Sequence, residues 1–300
     1  MVTTFVQTAV NELRFSNQNL ADEVLRPQAE SALQVVLASL NEYHASKQPI
    51  YCVTEALLKA CDHPSLQFPE TLKIEVSIED CAAKIGLSTL QSRAQWEALL
   101  EPLEMSHFET SNLIDATLDW IDSDDLERPY GAEKAYYESL DQTLFPPNQA
   151  IKRLQEFDFI KGFDLESEIS ATSKTTLFEL LFKTLSPYHS SPPNLNTADK
   201  AVLDYITGDA GNSLAIIDYR NGPDGVPTTT DDRVFESTDQ VLRFGIQPQQ
   251  PYSLRSGPFI VRIRIRDAVR SFSLAAFLST HKTSEHAMLS IEHSSEYLQF

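Results

Sequence analysis

The sequence predicts an α+β protein in which a long N-terminal helix lies on an antiparallel sheet, with a large all-α domain inserted into that sheet. Three observations support this prediction. Residues 25–40 repeat apolar side chains at three- and four-residue spacing, as in a helix that buries one face. Residues 72–79 and 259–278 alternate apolar and polar residues, as half-buried strands do. Residues 110–245 carry short helical patterns broken by Pro-Pro pairs.

The long helix is predicted over residues 5–43, with Pro27 kinking it or opening its second segment. Short helices are expected at 54–61 and 94–101, the latter with Trp96, Leu99 and Leu100 on its apolar side. The stripe of the long helix is expected to pack on the sheet. A contact with a partner's helix is compatible with this on the opposite side.

Strands are predicted at 72–79, 259–266 and 270–278, the last two forming a hairpin. One strand or one hairpin is too little to be stable alone, so all three are expected to share a sheet. The intervening helical segment is then an insertion. Its helices are expected at 113–121, 154–159, 165–169, 176–185, 200–206, 213–219 and 239–244.

The predicted organisation has four parts. A stalk helix at 1–47 is followed by a first αβ segment at 48–104. The inserted helical domain spans 105–248, and the C-terminal strands occupy 249–300.

Composition excludes several function classes. The 300 residues include 24 Lys and Arg against 43 Asp and Glu, a net charge of −19, which disfavours binding to nucleic-acid phosphates. Only nine glycines occur, and we find no Walker, G-x-G-x-x-G, G-x-S-x-G or H-E-x-x-H motif. No apolar run is long enough to span a membrane.

The sequence has three cysteines, Cys52, Cys61 and Cys81. No two of them form a C-x-x-C pair, so they cannot form a metal finger. We interpret them as small buried residues. The alternative is one disulfide, Cys52–Cys61, with a thiol left over.

A series of motifs resembles the K-type minor pseudopilins of bacterial type II secretion. The most specific is DWIDSDD at residues 119–125, which is followed by RPYGAE at 128–133. Further similar segments occur in the same order: residues 78–80, Lys84-Ile85, 162–164, 194–198 and 259–278. The resemblance covers roughly residues 10–280.

The resemblance implies a pilin-like fold and a non-enzymatic, structural role at the tip of the pseudopilus. The implied partners are the I-type and J-type minor pseudopilins and the shaft subunits, with no nucleic acid. Such a subunit is the periplasmic domain of a protein anchored in the inner membrane. Because a pseudopilin begins with a hydrophobic helix, we expect that helix to have been removed ahead of Met1.

The first candidate metal site is the loop at residues 221–232. Asn221, Asp224, Asp231 and Asp232 supply oxygen ligands of the kind calcium prefers, in a Gly- and Pro-rich stretch. The loop also resembles the calcium loop of the major pseudopilins. The alternative is a solvated turn.

The second candidate metal site is acidic: Asp119, Asp122, Asp124, Asp125 and Glu133. Residues 101–150 contain twelve acidic and two basic residues, and Asp119 and Asp122 share a helix face. The family binds calcium, which favours a metal here. The alternative is a solvated acidic face, with Asp124 or Asp125 capping a following helix.

The sequence also supports three other hypotheses. Residues 194–198 and 215–220 resemble tandem helix-hairpin-helix domains, which bind DNA phosphates, and the inserted domain is thus expected to be SAM-like or helix-hairpin-helix-like. The acidic run would also supply paired carboxylates for a hydrolase. Arg262, Arg264 and Arg266 form either a solvated sheet face that balances nearby acids or a face that binds a partner.

Overall fold

The structure is a computed structural model that describes residues 23–42, 50–52, 71–140, 145–163, 171–227, 229–282 and 287–295. It contains two units. The sheet unit comprises Met1–Asp80, Val226–Asp232 and Ser256–Phe300, and the helical unit comprises Cys81–Gly225 and Arg233–Arg255.

In chain order, the helices are α1 (23–42), α2 (Arg93–Leu100), α3 (His107–Ile121), α4 (Lys134–Ser139), α5 (Ala171–Thr184), α6 (Lys200–Thr207), α7 (Ala210–Arg220) and α8 (Thr238–Arg243). The strands are β1 (Lys73–Asp80), β2 (Ile85–Gly86), β3 (Leu185–Ser186), β4 (Phe259–Arg266), β5 (Ser271–Lys282) and β6 (Ala287–Ser295). No described helix combines the length and apolar character that crossing a membrane requires.

The sheet unit contains one antiparallel sheet with the strand order β1-β4-β5-β6. Val76 lies opposite Ile263, which in turn lies opposite Leu274, so apolar residues share one face. The prediction that the early strand and the late hairpin share a sheet is therefore confirmed. The alternation in residues 287–295 is too weak to have predicted β6.

Helix α1 packs on the apolar face of this sheet. Its buried stripe comprises Leu25, Ala29, Ala32, Leu33, Val36 and Leu40, and these residues form one cluster with buried side chains of β4 and β5. Each fully buried aliphatic side chain contributes about 1.5–3 kcal/mol. The predicted packing of stripe on sheet is confirmed, and the helix continues on both sides of Pro27.

The outer face of the sheet carries the arginine stripe. Arg262 forms an ion pair with Glu79 at 2.6 Å, and Arg266 forms one with Glu75. These pairs agree with the interpretation in which the stripe balances nearby acids.

The helical unit has its own core, in which Trp96, Phe157, Phe163 and Phe235 are fully buried. This core extends to Ile85, Leu87 and Leu90, and the helical unit accordingly begins at Cys81 rather than at 105. It also ends at Arg255 rather than 248.

Most predicted helices of the insertion are present, with one change of type. Residues Leu154–Phe159 form a 3₁₀ helix. Leu154, Phe157 and Ile160 are buried at a spacing of three, which matches three residues per turn. Helix α4 and the two-residue parallel pair of β2 and β3 were not predicted.

Some predictions lie outside the described residues: the helix at 5–22, the helices at 54–61 and 165–169, and Cys61. Of the other two cysteines, Cys81 is buried and Cys52 is half-buried.

Candidate metal centre

Helix α3 positions the acidic residues of the second candidate site. Ser106 accepts a hydrogen bond from the backbone N–H of Glu109, whose carboxylate accepts one from the N–H of Ser106, so the helix begins at a capping box. Asp115 and Asp119 lie four residues apart, and Asp122 ends the helix, so all three share one face.

The acids lie at the helix end that favours positive charge. The last turn of α3 contains no basic residue, and its unsatisfied carbonyls give it a partial negative charge. Asp119 has no exposed surface. A buried carboxylate at this end of a helix requires a compensating cation.

Arg128 supplies part of that compensation. Its Nη1 atom donates to Asp119 Oδ1 at 2.5 Å and also to Asp122 Oδ2, and its backbone N–H donates to Asp119 Oδ2 at 3.1 Å. Burial alone would lower the pKa of Arg128, but the hydrogen bonds with Asp122 and Asp119 raise it above its usual value. Both oxygens of Asp119 are therefore bonded by one residue.

Asp115 has a separate role. Its Oδ1 atom forms an ion pair with Arg93, and its Oδ2 atom accepts the backbone N–H of Tyr130 at 3.2 Å. With its charge matched in this way, Asp115 ties α2, α3 and the loop at 122–133 together.

Gly131 allows the loop to pass against Asp119. A Cβ atom at this position would lie 1.8 Å from Asp119 Oδ2, a distance that no side chain tolerates. The glycine of the GAE motif is thus required by a close approach of backbone to carboxylate.

Glu133 completes a group of three carboxylates. It is 3% exposed, and neither of its carboxylate oxygens has a hydrogen-bond partner among the residues that the structure describes. One oxygen each from Asp119, Asp122 and Glu133 lie within 4.8 Å of one another. Burial, followed by the charges of Asp119 and Asp122, raises the pKa of Glu133 to about 7.

The other two residues of this candidate do not join the group. Asp124 Oδ1 accepts the backbone N–H of Leu126 at 2.9 Å, which caps a turn. Asp125 Oδ1 accepts from the Asn148 amide at 3.2 Å. Both side chains are exposed, and their charges contribute to the raised pKa of Glu133.

A cavity of about 330 Å³ adjoins the group, with Asp122 and Arg128 in its lining. The remaining lining is mainly apolar and includes Leu87, Leu90, Trp96, Leu118, Ile121 and Ile151, with Ser88, Gln91, Ser123 and Ala150. Asp119 and Glu133 are both buried, so this pair offers little surface to a hydrolase substrate.

The first candidate site lies in the loop at residues 221–232. Asn221 and Asp224 belong to the helical unit, where the Asn221 amide donates to the Gly225 carbonyl at 3.4 Å. Asp231 and Asp232 belong to the sheet unit, and Asp231 accepts from the Thr229 hydroxyl at 2.7 Å. Residue 228 lies outside the described part, and this loop stays a prediction.

The helical hairpin that suggested DNA binding comprises α6, Gly208 and α7. Gly208 adopts a positive φ of 64° that ends α6. The Asp209 side chain accepts a hydrogen bond from the backbone N–H of Asn212 at 2.7 Å. A DNA phosphate would need this N–H group as a donor, and the Asp209 carboxylate already occupies it.

Sequence reasoning missed the role of Arg128. It appears in the quoted RPYGAE motif, but its contacts depend on a loop that returns nine residues to Asp119. The position of Arg128, a basic residue between the acids at 119–127 and Glu133, was the one sequence signal that could have indicated this role.

The fold and the site define a pilin-like α+β protein whose inserted helical domain carries a buried acidic centre. Residues 83–168, which contain all three carboxylates, match the family model of type II secretion system (T2SS) protein K. Protein K of Aeromonas hydrophila is 40% identical over 68 residues, which are 22% of this chain and 20% of that protein. This match thus spans about a fifth of the length of its relative.

The fold is also found in a solved structure. A chain of the GspK-GspI-GspJ complex from enterotoxigenic Escherichia coli superposes with a TM-score of 0.63 and 16% identity, covering 94% of this chain and 98% of that one. The protein K match therefore extends over residues 83–168, and the likeness to the solved chain shows a shared fold.

Proposed function

We propose that this chain is a structural minor pseudopilin of type II secretion, which assembles with the I-type and J-type minor pseudopilins. The observation that carries this proposal is the combination of a pilin-like fold over 94% of the chain with a protein K match across the acidic centre. The solved relative was itself crystallised as a GspK-GspI-GspJ complex.

We place the subunit at the pseudopilus tip. The helical unit supplies more than half of the chain. We expect an insertion of this size to be excluded from a shaft of closely packed stalk helices, whereas the tip leaves room for it. In this arrangement the chain is the periplasmic domain of a protein anchored in the inner membrane.

Light scattering on a sizing column tests the assembly. This chain is mixed with the soluble domains of the I-type and J-type pseudopilins from the same source, with calcium present. We expect a 1:1:1 species at the summed mass. Three separate monomer peaks would contradict the proposed assembly.

A mobility-shift assay at low salt tests the helix-hairpin-helix alternative. We expect no shifted band, because the chain is acidic and because the Asp209 carboxylate already accepts the backbone N–H of Asn212 in the hairpin. A band that disappears as salt is raised would support DNA binding instead.

We also propose that the centre of Asp119, Asp122 and Glu133 binds calcium. The donors are all carboxylate oxygens, which hard cations prefer. The unpartnered, buried oxygens of Glu133 fit such an ion, because they have no other compensation among the described residues. A bound calcium ion would offset two of the three negative charges and join α3 to the start of α4.

Thermal unfolding tests calcium binding. Calcium at 100 times its dissociation constant adds about 2.7 kcal/mol to the stability of the folded state. We expect the melting temperature to rise by about 5–10 °C over that in EDTA. Glu133→Gln should abolish this shift, because it removes a ligand charge without changing the shape of the side chain.

Glu138→Gln is the matched control, because Glu138 lies on α4, the helix that Glu133 immediately precedes, with its side chain 55% exposed. We expect it to retain the calcium shift. The separate prediction that the loop at 221–232 binds calcium is tested by the same melting measurement on Asp224→Asn and Asp231→Asn. If wild type melts identically in calcium and EDTA, neither calcium site is supported.

A further inference from the structure

The outer face of the sheet carries a row of positively charged side chains. Arg262, Arg264 and Arg266 alternate along β4 with buried aliphatic residues that form one cluster with α1. Because successive side chains of a strand point to opposite faces, the three arginines share the face that α1 does not cover. Lys73 lies on the same face, opposite Arg266 on the neighbouring strand β1. These four residues, which all belong to the sheet unit, are called the outer basic face below.

The acids of β1 match only two of the three arginines. Arg262 forms an ion pair with Glu79, and Arg266 forms one with Glu75. Glu75 lies directly opposite Arg264 in the strand register, but its carboxylate bonds Arg266 instead. Among the residues that the structure describes, Arg264 has no acidic partner. Balance by nearby acids therefore accounts for Arg262 and Arg266 but not for Arg264.

The other neighbouring strand, β5, contributes no charge beside the arginines. Ser271, Ser273 and Ala275 lie opposite them in the register. All three side chains are short and uncharged, so they neither neutralise the guanidinium groups nor cover them. Arg264 is exposed, and the side chain of Arg266 is 49% exposed. The arginines are therefore accessible to a binding partner from the β5 side.

The outer basic face also differs in sign from the chain as a whole. Its four cations meet only two described acids, Glu75 and Glu79, whereas the whole chain has a net charge of −19. Most of the molecule repels a negatively charged partner, and this face attracts one. Such a contrast directs an acidic partner to one place and orients it there.

The spacing of the arginines indicates which acidic partner fits. Residues at alternate positions of a strand lie about 6.4–6.8 Å apart. Carboxylates at alternate positions of another extended segment repeat at the same distance, so several of them can meet the arginines at once. Each guanidinium group has five N–H donors in a planar fork and can bond a carboxylate through two of them. An arginine that already holds an acid of β1 can thus bond a second carboxylate.

We propose that the outer basic face binds an extended acidic segment of a partner protein, in which Asp or Glu occurs at every second position and the central carboxylate bonds Arg264. The partner segment lies along β4 on the side of the sheet away from α1. This inference uses residues of the sheet unit alone and depends neither on calcium nor on the assembly proposed above.

Fluorescence anisotropy with two labelled peptides tests the proposal. In one peptide Glu alternates with Thr, and in the other the same residues are rearranged so that the Glu residues are contiguous. We expect the alternating peptide to bind at low salt and to dissociate as salt is raised. The contiguous peptide should bind at least about threefold more weakly, because only every second Glu of an extended segment faces the arginines. Absence of binding by the alternating peptide, or equal binding of both peptides, would overturn the proposal.

Arg264→Gln tests the central contact. It is preferred to Arg264→Glu, because a second carboxylate would then lie opposite Glu75 and destabilise the strand pair. We expect the alternating peptide to bind Arg264→Gln about five- to tenfold more weakly, since a charge-assisted hydrogen bond is lost. Arg264→Lys should lose about twofold, because the charge remains and the fork is lost. Circular dichroism checks that each variant is folded, and Arg264→Lys keeps the test decisive if Arg264→Gln is not.

Arg243→Gln is the matched control for overall charge. Arg243 is exposed and belongs to the helical unit, on the last turn of α8. We expect peptide affinity to change by less than about twofold, because this charge is distant in sequence from the sheet and screened by solvent. Equal weakening in Arg243→Gln and Arg264→Gln would mean that only the net charge matters, and the proposed face would be wrong.

Sedimentation with vesicles of equal parts phosphatidylglycerol and phosphatidylcholine distinguishes a protein partner from a lipid surface. Lipid phosphates lack the two-residue repeat of an extended chain, so we expect no vesicle binding that depends on Arg264. Vesicle binding that Arg264→Gln removes, in a protein that does not bind the alternating peptide, would assign the face to a membrane and overturn the proposal.

Discussion

At the scale of single residues, the acidic centre depends on unusual pairs of side chain and backbone. Asp119 is buried, and its oxygens are held by the side chain and the backbone of one residue, Arg128. Gly131 lies so close to Asp119 that the loop has no room for a larger residue. Most of the geometry of the centre is therefore set by the loop at 122–133 rather than by the helix that carries the acids.

Gly131→Ala tests this dependence. The added methyl group would overlap Asp119 Oδ2, so the loop must shift. We expect a loss of about 1–3 kcal/mol in the free energy of unfolding, as overpacking typically costs. The calcium-induced rise in melting temperature should disappear as well. Urea unfolding in calcium and in EDTA measures both effects.

Gly211→Ala is the control for Gly131→Ala. Gly211 is helical, and the nearest atom that a Cβ would meet is a carboxylate oxygen of Asp209 at 3.0 Å. Alanine is the better helix former, so we expect little or no destabilisation and an intact calcium shift. Equal losses in the two variants would mean that Gly131 has no special role.

At the scale of elements, helix α3 links local sequence signals to the centre. Its capping box was readable as Ser106 followed by Glu109. We expect Ser106→Ala to lower the free energy of unfolding by about 1 kcal/mol. Because the cap lies at the opposite end of the helix from the acids, calcium affinity should be unchanged. Denaturant unfolding and calorimetry check the two parts, and a large loss of affinity would contradict this separation.

The turn between β4 and β5 gives an expected pH dependence. The backbone N–H groups of Val269 and Arg270 hold the pKa of Asp267 below its ordinary value of 3.8. The stabilisation is therefore complete above pH 3.8 and is lost as the pH falls through the lower, folded-state pKa. Asp267→Asn should lack this contribution.

The measurement for Asp267 is the urea midpoint of wild type and Asp267→Asn between pH 5 and pH 2.5. We expect the difference between the two proteins to narrow as the pH falls. A constant difference across this range would show that the hydrogen bonds of the turn do not depend on the charge.

Predictability from sequence also differs among elements. β1, α2 and the hairpin of β4 and β5 have strong periodicity, because each buries one face, and all were predicted. α4 has six residues and β2 and β3 have two each, which is too short for any period to show. Their positions follow from tertiary packing.

The centre was predictable only in part for a related reason. Asp119 and Asp122 are neighbours on one helix, whereas Glu133 is fourteen residues from Asp119 and reaches it through an irregular loop. Spacing alone cannot show that convergence. Nor can spacing show that Asp124 and Asp125, inside the same motif, are turned towards solvent.

At the scale of the whole molecule, the buried apolar residues that the structure describes form two hydrophobic cores. One core belongs to the sheet unit and the other to the helical unit. Asp119, Asp122, Glu133 and both tryptophans belong to the helical unit. Tryptophan fluorescence therefore reports one unit, while circular dichroism reports both.

This difference in probes leads to a prediction about metal removal. Because calcium contacts only the helical unit in our proposed acidic centre, EDTA should lower the midpoint temperature of the transition seen by tryptophan fluorescence. The midpoint of a transition seen only by circular dichroism should not change. Ile263→Ala supplies the complementary perturbation: Ile263 is buried in the sheet unit, and its truncation should cost about 2–5 kcal/mol. We expect that variant to shift only the second transition. If EDTA and Ile263→Ala instead move one common transition, the two cores unfold as a single cooperative unit, and the ion stabilises the sheet as well.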